Sequence, residues 1–343
     1  MTKTRILFIA NPISGTHDKR PVIKSLPHFL PEERFEWDVA WTDHKGHAAE
    51  IAQQAAKEGI DICAAIGGDG TVNEVARSLC HTQTALAIIP MGSGNGLARH
   101  IQIPMSPDGA LEVLARCDIK PLDYGLINDI PFFCTCGMGF DAFVSQKFAE
   151  AGKRGPITYV ENVLREGLKY KPETYEIQDE TGITRAKAFL ISCANASQYG
   201  NNAYIAPQAS MSDGLLDVII MEPFDMIDAP QISIDMFNKT LDKNSKIKTF
   251  KCRQLRIHRK NPGVIHYDGD PIMADADVEI VLKPKGIRVV VNPDADKRLR
   301  RPNMLQNAAS ELFNEINIVR EDITKQRRHV LALSKILQRK LLG

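Results

Sequence analysis

The first part of the chain alternates short apolar runs with helical patterns. The runs at residues 6–10, 60–66 and 85–89 have the length of buried strands, and residues 36–42 alternate between polar and apolar positions as a further strand does. Residues 47–57 have the alanine-rich pattern of a helix, and glycine-rich turns lead from two of the runs into further helical stretches. This strand–helix order predicts a doubly wound parallel α/β sheet.

From about residue 122 onwards the rhythm changes to repeated strand patterns separated by turn residues. One helical pattern, at residues 157–170, interrupts them. Short strands at this spacing predict a mostly antiparallel β-sandwich. The predicted strands are residues 123–127, 132–136, 188–193, 216–221, 255–259, 278–282 and 287–291.

The end of the chain has a third pattern, in which apolar residues step alternately by four and three positions from Leu305 to Leu337. This heptad seam predicts a helical tail and is interrupted only by Gln326. So narrow a stripe favours a homodimer through the tail over a helix that lies on a membrane or on the rest of the protein. We therefore divide the chain into an α/β domain (1–121), a β-sandwich domain (122–293) and a basic helical tail (294–343).

Charge separates the tail from the rest of the protein. The whole chain has a formal net charge of only +1, so it does not look like a nucleic-acid binder. Residues 297–343 hold eleven Lys and Arg against four Asp and Glu, which leaves about −6 on the remainder. A basic tail on a mildly acidic body predicts an anionic partner, such as the headgroups of a membrane surface.

Cysteine usage and hydropathy suggest the compartment. The seven cysteines are odd in number and include no CxxC pair, which is typical of buried thiols in a reducing environment. The apolar run after Lys3 and Arg5 is too short for a signal peptide, and no window reaches the ~20 apolar residues of a membrane span. We expect a cytoplasmic protein that contacts the inner membrane surface peripherally.

Two glycine-rich turns carry the first candidate chemistry. GGDGT at 67–71 and PMGSGNG at 90–96 each follow a predicted strand and open a helix. Glycines let the backbone approach a phosphate, and a helix start favours negative charge, so the pair predicts a phosphate cradle. The alternatives are that Asp69 only caps its own helix and that the turns bind nothing. Neither turn has the Lys-Ser/Thr of a P-loop, and the protein-kinase motifs are absent.

Six motifs in order along residues 3–293 resemble the catalytic domain of diacylglycerol kinases and sphingosine kinases. GGDGT alone is weak, because NAD kinases and phosphofructokinases resemble it too, but the ordered set is specific. The motifs are NPxSG at 11–15, Thr42 with His47-Ala48, GGDGT with Asn73-Glu74, GSGN at 92–95, DGLLD at 213–217 and DGD at 268–270.

The resemblance implies ATP in the cleft between two domains. Asp268 would orient the lipid hydroxyl as the base, with Asp270 beside it. Asp69 is a second candidate for the base, and we favour it as an organiser of metal and phosphate. The residues that would line the nucleotide are Asn11, Ser14, Gly15, Thr42, Gly67, Gly68, Asp69, Gly70, Thr71, Glu74, Gly92 and Ser93.

The same resemblance implies a structural Mg²⁺ and a lipid-facing acid. Asp213 would hold the metal through water, helped by the carbonyls of Ser210 and Leu215. Asp141 would face the lipid, where a carboxylate suits the ammonium of a sphingoid base, although a helix-capping role fits it equally well. Taken alone, the Asp-Gly pairs of the later motifs would indicate hairpin turns.

Three departures from the family pattern bear on the substrate. Gly96 stands where diacylglycerol kinases usually carry Asp, and this difference favours a sphingoid substrate. Thr158 stands where sphingosine kinases carry Arg, and this difference counts against a sphingoid substrate. Asp270 replaces the family's Glu and puts the role of that position in doubt.

We expect an ATP-dependent lipid kinase that phosphorylates a hydroxyl of diacylglycerol or of a sphingoid base. A kinase for a soluble substrate, such as NAD, is the first alternative, and the motifs around Asp213 and Asp268 count against it. A non-catalytic lipid or nucleotide sensor is the second, and the intact acidic positions count against it.

Overall fold

The computed structural model describes residues 3–14, 18–151, 167, 170–225 and 227–295. The predicted helix at 157–170 lies almost entirely outside these residues, and the tail does so from residue 296 onwards. None of the described helices is long and apolar enough to cross a membrane.

Four parallel strands form the first part of the fold, in the spatial order β2-β1-β3-β4. Every residue of β3 and β4 is buried, as expected for strands covered by helices on both faces. The predicted α/β sheet is thereby confirmed. The strands are β1 (Thr4–Ala10), β2 (Phe35–Trp41), β3 (Ile62–Gly67) and β4 (Ala85–Pro90).

Five helices connect and flank these strands. The helix predicted at 47–57 is present with those bounds. The apolar pattern does not mark α1 and α5, whose sequences contain the helix-breaking residues Pro27 and Gly109. Each of the two has a proline in its first turn, where that residue is favourable. The helices are α1 (Arg20–Phe29), α2 (His47–Lys57), α3 (Asp69–Leu79), α4 (Gly96–His100) and α5 (Pro107–Arg116).

The second part is the predicted antiparallel sandwich. One of its layers is a six-stranded sheet in the order β14-β13-β10-β7-β16-β17. A core of residues such as Ile127, Tyr175, Ile191 and Val278 fills the space between this sheet and the strands facing it. The strands are β5 (Ile119–Ile127), β6 (Ile130–Phe132), β7 (Thr135–Gly139), β8 (Glu173–Asp179), β9 (Gly182–Ala188), β10 (Leu190–Ala194), β11 (Gln198–Gly200), β12 (Ala203–Tyr204), β13 (Leu216–Met221), β14 (Ile247–Cys252), β15 (Gln254–Arg259), β16 (Gly263–Tyr267), β17 (Asp270–Ala274) and β18 (Asp277–Val290).

Two described helices accompany these strands. The first, α6 (Phe140–Ala151), starts directly at the end of β7. The second, α7 (Ala229–Asn238), follows β13 and precedes a 3₁₀ turn at Leu241–Lys243.

One long strand joins the two parts of the fold. β18 has 14 residues and lies antiparallel to β15 and β5, and it then pairs in parallel with β4 through Val289 and Leu86. The result is a single ten-stranded sheet. The sequence predicts two strands here, at 278–282 and 287–291, because residues 283–286 interrupt the apolar run. The structure places a register shift at that point instead, with Lys285 at a positive φ of 51°.

Candidate active site

The motif residues of the α/β domain lie along one edge of the sheet, at the carboxyl ends of β1 to β4. Backbone hydrogen bonds connect them, from the N–H of Asn11 to Ile66 O at 3.2 Å and from that of Thr42 to Ala10 O at 3.0 Å. This edge therefore brings together the residues predicted to line the nucleotide, except Gly15, which lies outside the described residues. We call it the nucleotide edge after that prediction. Ligands of open α/β sheets bind at this kind of edge.

The two glycine turns touch each other. A Cβ atom added to Gly92 would lie 2.5 Å from the Cα of Gly68, and one added to Gly67 would lie 2.6 Å from Thr71 Oγ1. Since these distances leave no room for a side chain, the glycines are needed for the packing of the turns themselves. The sequence analysis weighed phosphate approach against turns that bind nothing, and the turn-to-turn contact is a reason for the glycines that holds in either case.

Asp69 holds the second turn in place. Its carboxylate accepts hydrogen bonds from the N–H groups of Asn95, at 2.8 Å, and Gly96, at 2.7 Å. Burial raises the pKa of Asp69, and these two bonds oppose that shift. Asp69 therefore caps the start of α4, whereas α3 has Gly68 as its N-cap and no side-chain cap hydrogen bond. The sequence could not reveal this contact between two turns.

Asn95 closes the second turn on itself. Its side-chain Oδ1 accepts from Gly92 N at 3.0 Å, and its Nδ2 donates to Gly92 O at 2.8 Å. The backbone of Asn95 has a positive φ of 51°, which Asn tolerates better than most residues do. With Asp69, this arrangement gives a rigid turn beside the nucleotide edge.

The NPxSG turn that follows β1 contacts a cation that the sequence analysis missed. Lys19 precedes α1 and is only 2% exposed, and its Nζ donates to the carbonyl of Ser14. Burial lowers the pKa of Lys19. The side chain of Asn11 extends from the same turn to Thr71 Oγ1 at 3.2 Å. A lysine shortly after NPxSG and just before a helix was the available signal.

Glu74 and a group of imidazoles order the loop after β2. Glu74 Oε1 accepts from Gly46 N at 3.0 Å. Asp43 Oδ1 lies 2.7 Å from His47 Nδ1 and also contacts His44, and the two imidazole rings stack with centroids 4.7 Å apart. The Asp43 carboxylate raises the pKa of His44. These contacts hold the loop that carries Thr42 at the nucleotide edge.

Asp268 connects the two parts of the fold. Its Oδ2 accepts from Asn73 Nδ2 at 2.8 Å and from Phe133 N at 2.9 Å. Its Oδ1 accepts from Cys134 N at 2.7 Å and Thr135 N at 3.1 Å. Burial raises the pKa of Asp268, and these four donors oppose that shift. A carboxylate has about four lone-pair positions, so this one is fully used.

These bonds also correct one predicted strand. The apolar run at 132–136 does not form a continuous strand, because β6 ends at Phe132 and β7 begins at Thr135. The backbone N–H groups between them point to the carboxylate of Asp268 instead of to a neighbouring strand.

Asp270 is the more available carboxylate of the DGD motif. It begins β17 opposite Tyr267 and is half-buried. Within the described residues, its carboxylate has no hydrogen-bond or ion-pair partner. Asp270 can therefore accept a hydrogen bond from an incoming group without losing an internal one.

Asp141 lies in a polar cluster at the start of α6. Its Oδ2 is 3.0 Å from His266 Nε2 and accepts from Tyr199 Oη at 3.2 Å, while its Oδ1 accepts from Ala142 N at 2.8 Å. The side chains of Asp141 and His266 are only 9% and 2% exposed. Both capping and pairing thus occupy this carboxylate, and the sequence analysis missed His266 and Tyr199.

The position of Asp213 does not fit a metal ion in the described geometry. Its Oδ2 lies 2.8 Å from the Nζ of Lys251, and its Oδ1 accepts from Leu215 N at 3.1 Å. Both oxygens therefore have protein partners, and an ammonium stands where the resemblance implies Mg²⁺. The oxygens of Ser210 lie in the same loop, where its hydroxyl contacts that of Ser212 at 3.2 Å.

Comparisons with known proteins agree with this architecture. Residues 5–127 match the family described as Diacylglycerol kinase catalytic domain, and residues 134–291 match the YegS C-terminal NAD kinase beta sandwich-like domain. A "Probable lipid kinase YegS-like" of Serratia proteamaculans is 26% identical over 305 residues, which cover 87% of this chain and 94% of that protein. A "Probable lipid kinase YegS" of Salmonella arizonae is 26% identical over 84% of this chain and 96% of that protein.

Solved structures show the same fold at lower identity. A diacylglycerol kinase from Bacillus anthracis superposes with a TM-score of 0.68 at 20% identity, covering 86% of this chain and 99% of the other. An ATP complex of an NAD kinase from Archaeoglobus fulgidus has a TM-score of 0.50 at 13% identity, covering 86% and 96%.

The two matched families, one over the α/β part and one over the sandwich, thus define the protein as a kinase. The chain belongs to the diacylglycerol kinase catalytic-domain family of lipid kinases, with the YegS-type sandwich as its second domain. Membership in this family implies ATP as the phosphoryl donor, and a divalent metal ion is its usual companion.

Proposed function

We propose that the protein transfers the γ-phosphate of ATP to a hydroxyl group of an uncharged membrane lipid of the diacylglycerol type. The observation that carries the choice of lipid is the environment of Asp141. A sphingoid base would bring an ammonium group that needs a free, accessible carboxylate. The Asp141 carboxylate is instead buried and shared between His266, Tyr199 and its own helix start.

The nucleotide edge supports ATP as the donor. The start of α3 offers backbone N–H groups beside Thr71, whose hydroxyl accepts from Asn11 Nδ2, and the buried Lys19 ammonium holds the preceding turn through the carbonyl of Ser14. Mg²⁺ bound with ATP would neutralise the charge that develops on the transferred phosphoryl group. The residues of the chain would bind the phosphates and orient them toward the turn at Asp268.

We assign the proton-accepting role to Asp270 and a positioning role to Asp268. A general base needs a free lone pair within reach of the acceptor hydroxyl. All the lone-pair positions of the Asp268 carboxylate accept hydrogen bonds from Asn73 and from the backbone N–H groups of residues 133–135. Asp270 begins the next strand with its carboxylate available. The role of Asp268 as the base, expected from the resemblance, stays a prediction that the same variants test.

Gly96 gives no support to a sphingoid substrate. A Cβ atom at this position would lie 3.1 Å from the carbonyl oxygen of Tyr199 and 3.5 Å from Cys134 Sγ. A side chain at position 96 would therefore press on the backbone of Tyr199, which gives a packing reason for glycine that is independent of the lipid. Thr158, which leans away from a sphingoid base, lies outside the described residues.

A lipid panel tests the proposal. The protein is incubated with labelled ATP, Mg²⁺ and mixed micelles that contain diacylglycerol, sphingosine or ceramide, and NAD is tested in solution. We expect label in the diacylglycerol product and little in the sphingosine product. Strong phosphorylation of sphingosine would refute the choice of lipid. Phosphorylation of NAD alone would refute the lipid-kinase proposal for this chain.

The variant Asp141→Asn sharpens the comparison. If Asp141 recognised an ammonium, the change would reduce the rate with sphingosine far more than the rate with diacylglycerol. We expect no such selectivity, because the carboxylate is already occupied by His266, Tyr199 and the N–H of Ala142. Asp179→Asn, which alters an exposed turn carboxylate distant in sequence from these motifs, is the control.

The tail carries two proposals that rest on the sequence alone. It would form a homodimer through its heptad seam, and its basic residues would keep the protein at an anionic cytoplasmic membrane surface. Truncation after Asp296, followed by light scattering and liposome flotation, tests both. Identical behaviour of a monomeric full-length protein and the truncated one, without liposome binding, would reject both roles.

A further inference from the structure

Lys251 lies between two carboxylates at the edge of the sandwich. Its Nζ is 2.8 Å from Asp213 Oδ2 and 3.1 Å from Asp217 Oδ2. Asp217 is the direct cross-strand partner of Lys251 in the β13–β14 pair, while Asp213 comes from the loop that precedes β13. The ammonium therefore ties the loop to the sheet.

The loop is held from its other side by a buried carboxylate. Asp123 is 2% exposed, and its Oδ2 accepts from Gly214 N at 2.9 Å while its Oδ1 accepts from Lys285 N at 2.7 Å. In addition, the N–H of Asp123 donates to Met211 O at 2.7 Å. Because backbone N–H groups satisfy Asp123, the negative charge that still needs a cation is that of Asp213 and Asp217.

A series of three hydrogen bonds connects this loop to the DGD motif. Asn195 Nδ2 donates to Asp123 O at 2.9 Å and to Phe133 O at 2.8 Å. The N–H of Phe133 in turn donates to Asp268 Oδ2 at 2.9 Å. A cation at Asp213 therefore stabilises the loop that supports the backbone around Asp268.

We propose that Lys251 is a built-in cation that replaces a divalent metal ion at Asp213. A lysine ammonium supplies a single positive charge and three donors, enough to pair with two carboxylates, without the six oxygen ligands that Mg²⁺ requires. The loop is thereby stabilised independently of the metal supply. The inference concerns the loop alone and does not depend on the identity of the phosphorylated lipid.

Thermal unfolding without nucleotide tests the proposal, because no catalytic Mg²⁺·ATP is then present. The Tm of the wild type is measured with EDTA and with millimolar Mg²⁺ at equal ionic strength. We expect no difference. We also expect Lys251→Met to lower the Tm in EDTA by ~2–4 °C, the shift that a loss of about 1 kcal/mol causes in a domain of about 150–250 residues, and Mg²⁺ to restore it. The double variant Lys251→Met/Asp213→Asn should not respond to Mg²⁺.

Lys248→Met is the matched control, because Lys248 lies on the same strand and, among the described residues, pairs with a single carboxylate, Glu222. We expect its Tm to be insensitive to Mg²⁺. A wild-type Tm that rises with Mg²⁺, and ceases to rise in Asp213→Asn, would overturn the proposal in favour of a metal site. A loss of Tm in Lys251→Met that Mg²⁺ does not restore would overturn it as well, since Lys251 would then be an ordinary ion pair. The wild-type measurement alone decides the question if Lys251→Met does not fold.

Discussion

The side chain of Asn73 donates from Nδ2 to Asp268 Oδ2 at 2.8 Å, across 195 positions of the sequence. Asn73 lies in the first turns of α3, directly behind the nucleotide edge, and Asp268 lies in the turn between two strands of the sandwich. The bond therefore links α3 of the α/β domain to the DGD turn of the sandwich. Under the proposed function it would hold the acceptor turn in place relative to the glycine turns.

Asn73→Ala should weaken this link. Asn73 is 5% exposed, so its loss leaves a buried carboxylate with one donor fewer and costs about 1–3 kcal/mol of unfolding free energy. We also expect a lower kcat, because the acceptor turn would no longer be fixed relative to α3. Urea unfolding and initial rates measure the two effects.

Asn244→Ala serves as the comparison for that variant. Asn244 makes a similar bond, from Nδ2 to Asp235 Oδ2 at 2.7 Å, away from the cleft. Its removal should affect stability but leave kcat unchanged. A normal kcat in Asn73→Ala would contradict the proposed link.

Asp270→Asn should separate catalysis from stability. An amide cannot accept the hydroxyl proton, and loss of a general base typically costs ~10²–10⁴-fold in rate. The Tm should stay near that of the wild type, since the carboxylate has no partner among the described residues. Initial rates at saturating ATP and a thermal melt make the measurement.

Asp268→Asn should lower the stability of the protein as well as its activity, unlike Asp270→Asn. Its new NH₂ group would face backbone N–H groups that now donate to a carboxylate, which costs about 1–3 kcal/mol. We expect a reduced Tm together with reduced activity. If Asp268→Asn kept its Tm and lost its rate while Asp270→Asn remained active, the base role would return to Asp268.

Gly96→Asp should destabilise the protein without changing its lipid preference. The added Cβ meets the carbonyl of Tyr199 at 3.1 Å, and overpacking of this kind typically costs about 1–3 kcal/mol. Gly70→Ala is the matched control for the thermal melt, because no atom lies within 4 Å of its added Cβ. In the lipid panel, Gly96→Asp is compared with the wild type, since Gly70 itself is predicted to line the nucleotide. A changed ratio of sphingosine to diacylglycerol product in Gly96→Asp would restore the substrate interpretation of Gly96.

The cysteines should be unreactive in the native protein. Burial raises the pKa of Cys63 and Cys80 to about 12, and it raises that of Cys134 and Cys136 well above the ordinary value. Only the thiolate reacts readily, so little of it is present at neutral pH. Titration with a thiol reagent should label these residues slowly before unfolding and all seven cysteines after it. Rapid native labelling of Cys63 would contradict the buried environment.

The sequence by itself determined the architecture and the family. Continuous apolar runs such as residues 60–66 predict strands buried on both faces, and the rhythm after residue 122 predicts the sandwich, because strand periodicity is a local property. The four motifs of the α/β domain predicted the nucleotide edge in the same way. Each of these four follows its own strand, and parallel strands end at one edge.

Only the tertiary structure decided which group each acid serves. Asp69 caps α4, Asp268 binds Asn73 and the 133–135 backbone, and Asp213 pairs with Lys251. Asn95 lies 26 positions from Asp69, Asn73 lies 195 positions from Asp268, and Lys251 lies 38 positions from Asp213. Hydrogen-bond partners at such separations depend on how strands and turns pack in space. A motif fixes the type of residue but not the donors that the fold brings to it.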